Sequence, residues 1–192
     1  MIIVPRKFIY AGSVRTGSHF IYDTLMERFP GAIRTAQHHE LIPDVLTAKR
    51  AHQLPLYTVV RDPVYVVHSL WKTFHDKYPH LNADEHGVEK DYRDFLETRK
   101  PYHDGKASYD PTEMFPPGYQ VMYRHVADMF FPFEPNFETF FSFVGLNNVI
   151  ETEPKEVDVA YISDEDRELT HKYFANDLAI YQDKLFRPDK AA

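Results

Sequence analysis

Cysteine is absent from this 192-residue chain, which excludes disulfides and every zinc site built on thiolates. Positive charge is scarce: 22 Lys and Arg stand against 29 Asp and Glu, a formal charge of -7. A surface of that sign is a poor partner for non-specific nucleic acid. It still leaves room for a small anion, which a few local cations and oriented amides can hold. Long apolar runs are missing too, since no stretch approaches the roughly 18–20 residues a transmembrane helix needs. In the opening "MIIVPRKF" the apolar run is too short, and its charges come too late, for a secretory signal. Together these absences predict an intracellular, soluble, cytoplasmic protein without a membrane span. Its 43% hydrophobic and 27% charged content is ordinary for a globular chain, and its length predicts one domain over residues 1–192.

What is present alternates between strand and helix signals. Phe8–Ala11 reads as a short buried strand. Phe20, Ile21, Thr24, Leu25 and Phe29 then recur at helical spacing until Pro30-Gly31. Ala32–Ala36 reads as a second strand, followed from Glu40 by a short helix with Pro43 in its first turn. Leu56–Val60 ("LYTVV") is the clearest strand. After it Asp62 suits a helix cap and Pro63 the first helical position, with Val66, Val67, Leu70, Trp71 and Phe74 along one face. Such alternation predicts an α/β fold, three layers deep, with a central parallel sheet.

Further on, a helix is expected over about Val88–Thr98, a long loop over Lys100–Gly118 and a helix over Tyr119–Met129. A fourth strand, Phe130–Glu134, is held to an edge by Pro132. "NFETFFSFVGL" reads as a helix ended by Gly145, and "ELTHKYFANDLAIYQDKL" as one final helix behind a capping box at Ser163 and Asp166.

The chemistry starts at "GSVRTGSH", Gly12–His19. A strand, a glycine-bearing turn and a helix start make an anion site, because unpaired amides and the helix dipole both face outward. The nucleotide-phosphate pattern G-x-x-x-x-G-K-[ST] would put lysine after the second glycine, yet Ser18 stands there. Arg15 and the hydroxyls of Thr16 and Ser18 remain. Read blandly, this is a β–α turn with a solvated arginine. A second feature alters the balance. Arg61 ends the clearest strand, and Ser69 follows eight residues on. Ligands of open α/β sheets gather at the carboxyl ends of strands, where both arginines fall.

The two segments together resemble sulfotransferases that use 3′-phosphoadenosine-5′-phosphosulfate (PAPS). "RTGSH", Arg15–His19, matches the family's K-T-G-[ST]-[ST] phosphosulfate loop with arginine in place of lysine. "VVRDPVYVVHSLW" matches its 3′-phosphate segment at Arg61 and Ser69. The resemblance implies a P-loop NTPase-like sulfotransferase fold and a sulfuryl transfer from PAPS to a hydroxyl or amine, leaving adenosine 3′,5′-bisphosphate (PAP). It implies that Gly12, Arg15, Thr16, Gly17, Ser18 and His19 hold the phosphosulfate, while Arg61 and Ser69 hold the 3′-phosphate. Arg15 then also acts catalytically, on the transferring group. The base that activates a small-molecule or carbohydrate acceptor falls in "QHHEL": His39 or Glu40, with His38 beside them. No metal is expected, since no H-E-x-x-H occurs. The rival readings are a PAP- or nucleotide-binding module without chemistry and a degenerate P-loop nucleotide kinase.

Overall fold

The computed structural model describes residues 1–13, 15–35, 42–77, 91–103, 123, 126–133, 137–147, 149 and 162–183, with backbone alone at 42, 98–103 and 183. Five strands are described: β1 (Ile2–Val4), β2 (Phe8–Tyr10), β3 (Ile33–Arg34), β4 (Leu56–Val60) and β5 (Met129–Pro132). Seven helices are described with them: α1 (Ser18–Arg28), α2 (Ile42–His52), α3 (Pro63–Lys77), α4 (Tyr92–His103), α5 (Glu138–Phe143), α6 (Asp164–Tyr173) and α7 (Ala175–Asp183). None of these helices is long and apolar enough to cross a membrane. The chain divides into two compact units. A strand unit comprises Met1–Arg61, Tyr119–Lys155 and Ala179–Ala192; a helical unit comprises Asp62–Gly118 and Glu156–Leu178.

The strand unit carries one sheet in the order β3-β1-β2-β4-β5. It is mixed, which corrects the expected parallel sheet. β2, β4 and β5 pair in parallel, but β1 runs antiparallel to both β2 and β3. The cause is a hairpin that the sequence reading passed over. Ile2–Val4 turns back through Pro5-Arg6-Lys7, with the Lys7 N–H donating to the Val4 carbonyl (3.0 Å) and Arg6 at φ 63°. Both three-residue strands are wholly buried, so neither shows the polar alternation that marks a half-exposed strand.

Aromatic packing dominates one side of the sheet. Phe8, Tyr10, Tyr22, Phe131, Phe133, Phe137, Phe140 and Phe141 form a single buried cluster with Ile21, Leu25 and Val59. Ile3, Ile9, Leu56, Val60, Phe130 and Ile180 belong to a second cluster, as the period-two alternation of β2 and β4 requires. β5 is the edge strand that Pro132 predicted. The Asp128 carboxylate pins its start, accepting from the Leu56 N–H (2.7 Å) and from Lys49 Nζ (2.7 Å). The expected helix over Tyr119–Met129 does not reach its end, because Met129 already belongs to β5. Ahead of it the Val126 N–H donates to the Tyr123 carbonyl (3.0 Å). α5 stops as the sequence predicts. Gly145 takes φ 82°, its N–H donates to the Ser142 carbonyl (3.0 Å), and the Leu146 N–H reaches the Phe141 carbonyl (2.8 Å). This pair of bonds defines a glycine-terminated helix end.

In the helical unit, Asp62 caps α3 through the Val64 N–H (2.8 Å) and Asp91 caps α4 through the Asp94 N–H (2.8 Å). α4 therefore starts four residues later than the expected Val88. It also runs past Lys100 to His103, taking the first residues of the expected loop. Pro101, which removes one helix donor, lies within this last turn. The rest of that loop lies outside the described residues. The single final helix is in fact two, α6 and α7, broken at Phe174 (φ -108°, ψ 32°). Phe174 is buried, and no glycine or proline marks the break.

Candidate anion site

The turn between β2 and α1 is shaped by contacts that use up its own polar groups. Gly12 sits where a Cβ would come 2.4 Å from the Ser18 Cβ, and its N–H donates to the Tyr22 hydroxyl (3.1 Å). The Thr16 hydroxyl donates to the Ser13 carbonyl (2.8 Å), and the Ser13 hydroxyl lies 3.1 Å from the Val59 carbonyl of β4. The turn is thus tied to the neighbouring parallel strand. Thr16 is fully buried, so its hydroxyl serves the turn.

Two residues here hold left-handed backbone. Gly17 caps α1 at φ 66°, as glycine does without strain. Arg15 takes φ 60° without being glycine, a conformation costing on the order of 1–3 kcal/mol that tends to persist where function needs it. Gly17 is demanded twice over: a Cβ there would come 2.3 Å from the Phe137 ring and 3.2 Å from that of Phe133. α1 begins at Ser18 with no side-chain cap and no acid in its first turn. Ser18 is buried and His19 exposed.

Arg61 follows β4, the parallel neighbour of β2. It is 5% exposed, and its guanidinium lies 3.9 Å from the centroid of the Phe133 ring. Burial lowers the pKa of Arg15 from its ordinary value, and the nearby positive charge of Arg61 lowers it further. Beneath the turn, Tyr10 is wholly buried and its hydroxyl has no hydrogen-bond partner. Burial pushes its pKa well up, and Tyr22 and Tyr123 push the same way.

Gly12, Arg15, Thr16, Gly17, Ser18 and His19 accordingly stand in one turn, and Arg61 follows the strand that pairs in parallel with β2. Ser69 belongs to the helical unit, buried in α3, where its carbonyl accepts from the Thr73 hydroxyl (2.8 Å). Trp71, on the same helix, sits among His68, His75 and Tyr92, with ring centroids 5.4–6.0 Å away. His38, His39 and Glu40 lie outside the described residues. Among the described residues no group of three His, Asp or Glu converges in a way that would hold a metal ion.

The sequence reading missed Ser13, Tyr22, Phe133 and Phe137 as parts of this site. Ser13 and Thr16 carry the local signal of a hydroxyl turn, and Tyr22 is one helical turn beyond Ser18. The two phenylalanines carry no local signal. No protein-family model, curated protein or solved structure matches the chain.

Proposed function

We propose that the chain is a PAPS-dependent sulfotransferase acting on a hydroxyl or amine. The observation that carries this reading is the placement of Arg15 and Arg61 just after adjacent parallel strands, beside a helix start with no side-chain cap and no acid in its first turn. Two like charges held within each other's field favour an anion with more than one charged group.

In this reading the amides and Arg15 of the turn bind the 5′-phosphosulfate, and Arg61 binds the 3′-phosphate; Ser69 joins it on the sequence match alone. The acceptor oxygen or nitrogen forms a bond to sulfur while the bond from sulfur to the bridging phosphate oxygen breaks. The acceptor's proton passes to a base at His39 or Glu40, and PAP leaves with the electron pair. Charge grows on the bridging oxygen, where a fixed cation is most effective. Arg15 supplies that cation but not a proton, because a guanidinium stays charged even with a lowered pKa. The loop needs no lysine in this scheme, because no triphosphate–magnesium group is clamped. His19 also stands where a Walker loop has its magnesium-binding hydroxyl, which disfavours the kinase alternative.

The test is a thermal-shift comparison of PAP, ATP and AMP. PAP should raise the melting temperature most, by mass action, and Arg61→Ala should abolish most of that rise. A larger rise with Mg-ATP than with PAP would overturn the reading in favour of a kinase. PAP binding without sulfate transfer to any acceptor would leave a binding module.

A further inference from the structure

We infer that Phe133 is a positioning residue of this site, holding the guanidinium of Arg61 over its ring face and packing against the Gly17 turn with the same ring. The inference rests on the proposed reading, in which Arg61 receives the 3′-phosphate.

Phe133 follows β5 directly, and its N–H donates to the Val60 carbonyl (2.8 Å), so its backbone is locked beside the residue that precedes Arg61. Its ring is buried at 8% exposure and meets Phe137 edge to face, with centroids 4.6 Å apart. That partner fixes the ring plane. One face then lies under the Arg61 guanidinium at 3.9 Å, well inside the range of a cation–π contact. The edge of the ring lies where a Cβ on Gly17 would be 3.2 Å away.

One aromatic ring therefore touches both halves of the site. A guanidinium has a planar fork of donors, and bidentate capture of a phosphate depends on the orientation of that plane. Stacking fixes the plane before any ligand arrives, so less rotational freedom is lost on binding. Burial alone would not orient the fork, and a leucine of similar bulk would leave it free to turn.

The test replaces Phe133 by pentafluorophenylalanine, which keeps the shape and reverses the charge distribution of the ring face. Phe133→Leu is made alongside, and PAP, AMP and inorganic pyrophosphate are titrated by calorimetry. For the fluorinated ring, weakening of PAP by about 3- to 30-fold is expected, with AMP binding unchanged because AMP has no 3′-phosphate and the ring keeps its packing on the Gly17 turn, whereas Phe133→Leu should weaken both. In an Arg61→Ala background the fluorinated ring should cause no further loss. Equal weakening of PAP and AMP by the fluorinated ring, or full additivity with Arg61→Ala, would reduce Phe133 to a packing residue and overturn the inference. Wild-type protein that binds pyrophosphate through Arg61 without preferring PAP to AMP would sink the cofactor assignment alone; the Phe133 comparison would then be read on pyrophosphate. Wild-type protein that binds none of the three would sink both.

Discussion

Two helix starts in this protein solve the same electrostatic problem in opposite ways. Every helix begins with unpaired N–H groups and the positive end of its dipole. At α6 the chain answers with its own atoms. The Ser163 hydroxyl accepts from the Asp166 N–H (3.1 Å), and Asp164, Glu165 and Asp166 fill the first turn. Arg93 then balances two of those acids, at 3.0 Å from Glu165 and 2.7 Å from Asp166. At α1 there is no side-chain cap and no acid, and the cation nearby is an arginine in strained backbone with a second arginine beside it. The first arrangement is complete with its own residues. In the reading proposed above, the second is completed by the charge of a ligand.

The sharpest way to break the comparison is Gly17→Ala. The new methyl meets the Phe137 ring in backbone that an L-residue dislikes, and a loss of about 2–4 kcal/mol is expected. Urea denaturation would measure it, and an unchanged midpoint would deny that the turn is packed as described. Next in size is Ser163→Ala, which removes the cap of α6 and should cost about 0.5–2 kcal/mol with no effect on anion binding. His19→Asp gives α1 the acid it lacks. It should raise the stability of the ligand-free protein by about 0.3–1 kcal/mol at low salt while weakening PAP; a gain in PAP affinity would sink the ligand-completed view of α1.

The smallest effects concern two tyrosines, Tyr10 wholly buried and Tyr92 partly buried. Tyr92 donates to the Thr170 hydroxyl (3.0 Å), which itself donates to the Asp166 carbonyl (2.6 Å), whereas Tyr10 has no partner. Tyr92→Phe should cost about 0.5–1.5 kcal/mol, and Tyr10→Phe close to nothing at neutral pH. Burial raises the pKa of both. A tyrosine gains charge on losing its proton, so the folded protein keeps protons that the unfolded chain releases near pH 10. The resulting stability is complete below about pH 10 and is lost as pH rises beyond it. Either substitution should flatten that alkaline fall, followed by denaturation at stepped pH.

Local signals made much of this legible in the sequence. The glycine pair marked the turn, Asp62-Pro63 the start of α3, Ser163 and Asp166 the start of α6, and Gly145 the end of α5. Pro132 placed β5 at an edge. What stayed hidden depended on partners far away in the chain. β1 is too short and too buried to show a period, so the antiparallel hairpin passed for a preamble. The break at Phe174 is marked by no glycine or proline. The need for glycine at position 17 comes from Phe137, and the orientation of Arg61 from Phe133, neither of which a reading of neighbours can supply.

The pairing of β5 with β4 has a consequence for the order of events after synthesis. Leu56 and Asp128, joined at the start of that pairing, are 72 residues apart, so a long loop must close before the pairing is rewarded. The β1–β2 hairpin, by contrast, closes over a three-residue turn. Phe133 and Phe137 arrive only with the late strand. If the proposed reading holds, nucleotide binding should thus emerge at the last step of folding, and its recovery after refolding should lag behind recovery of helical signal.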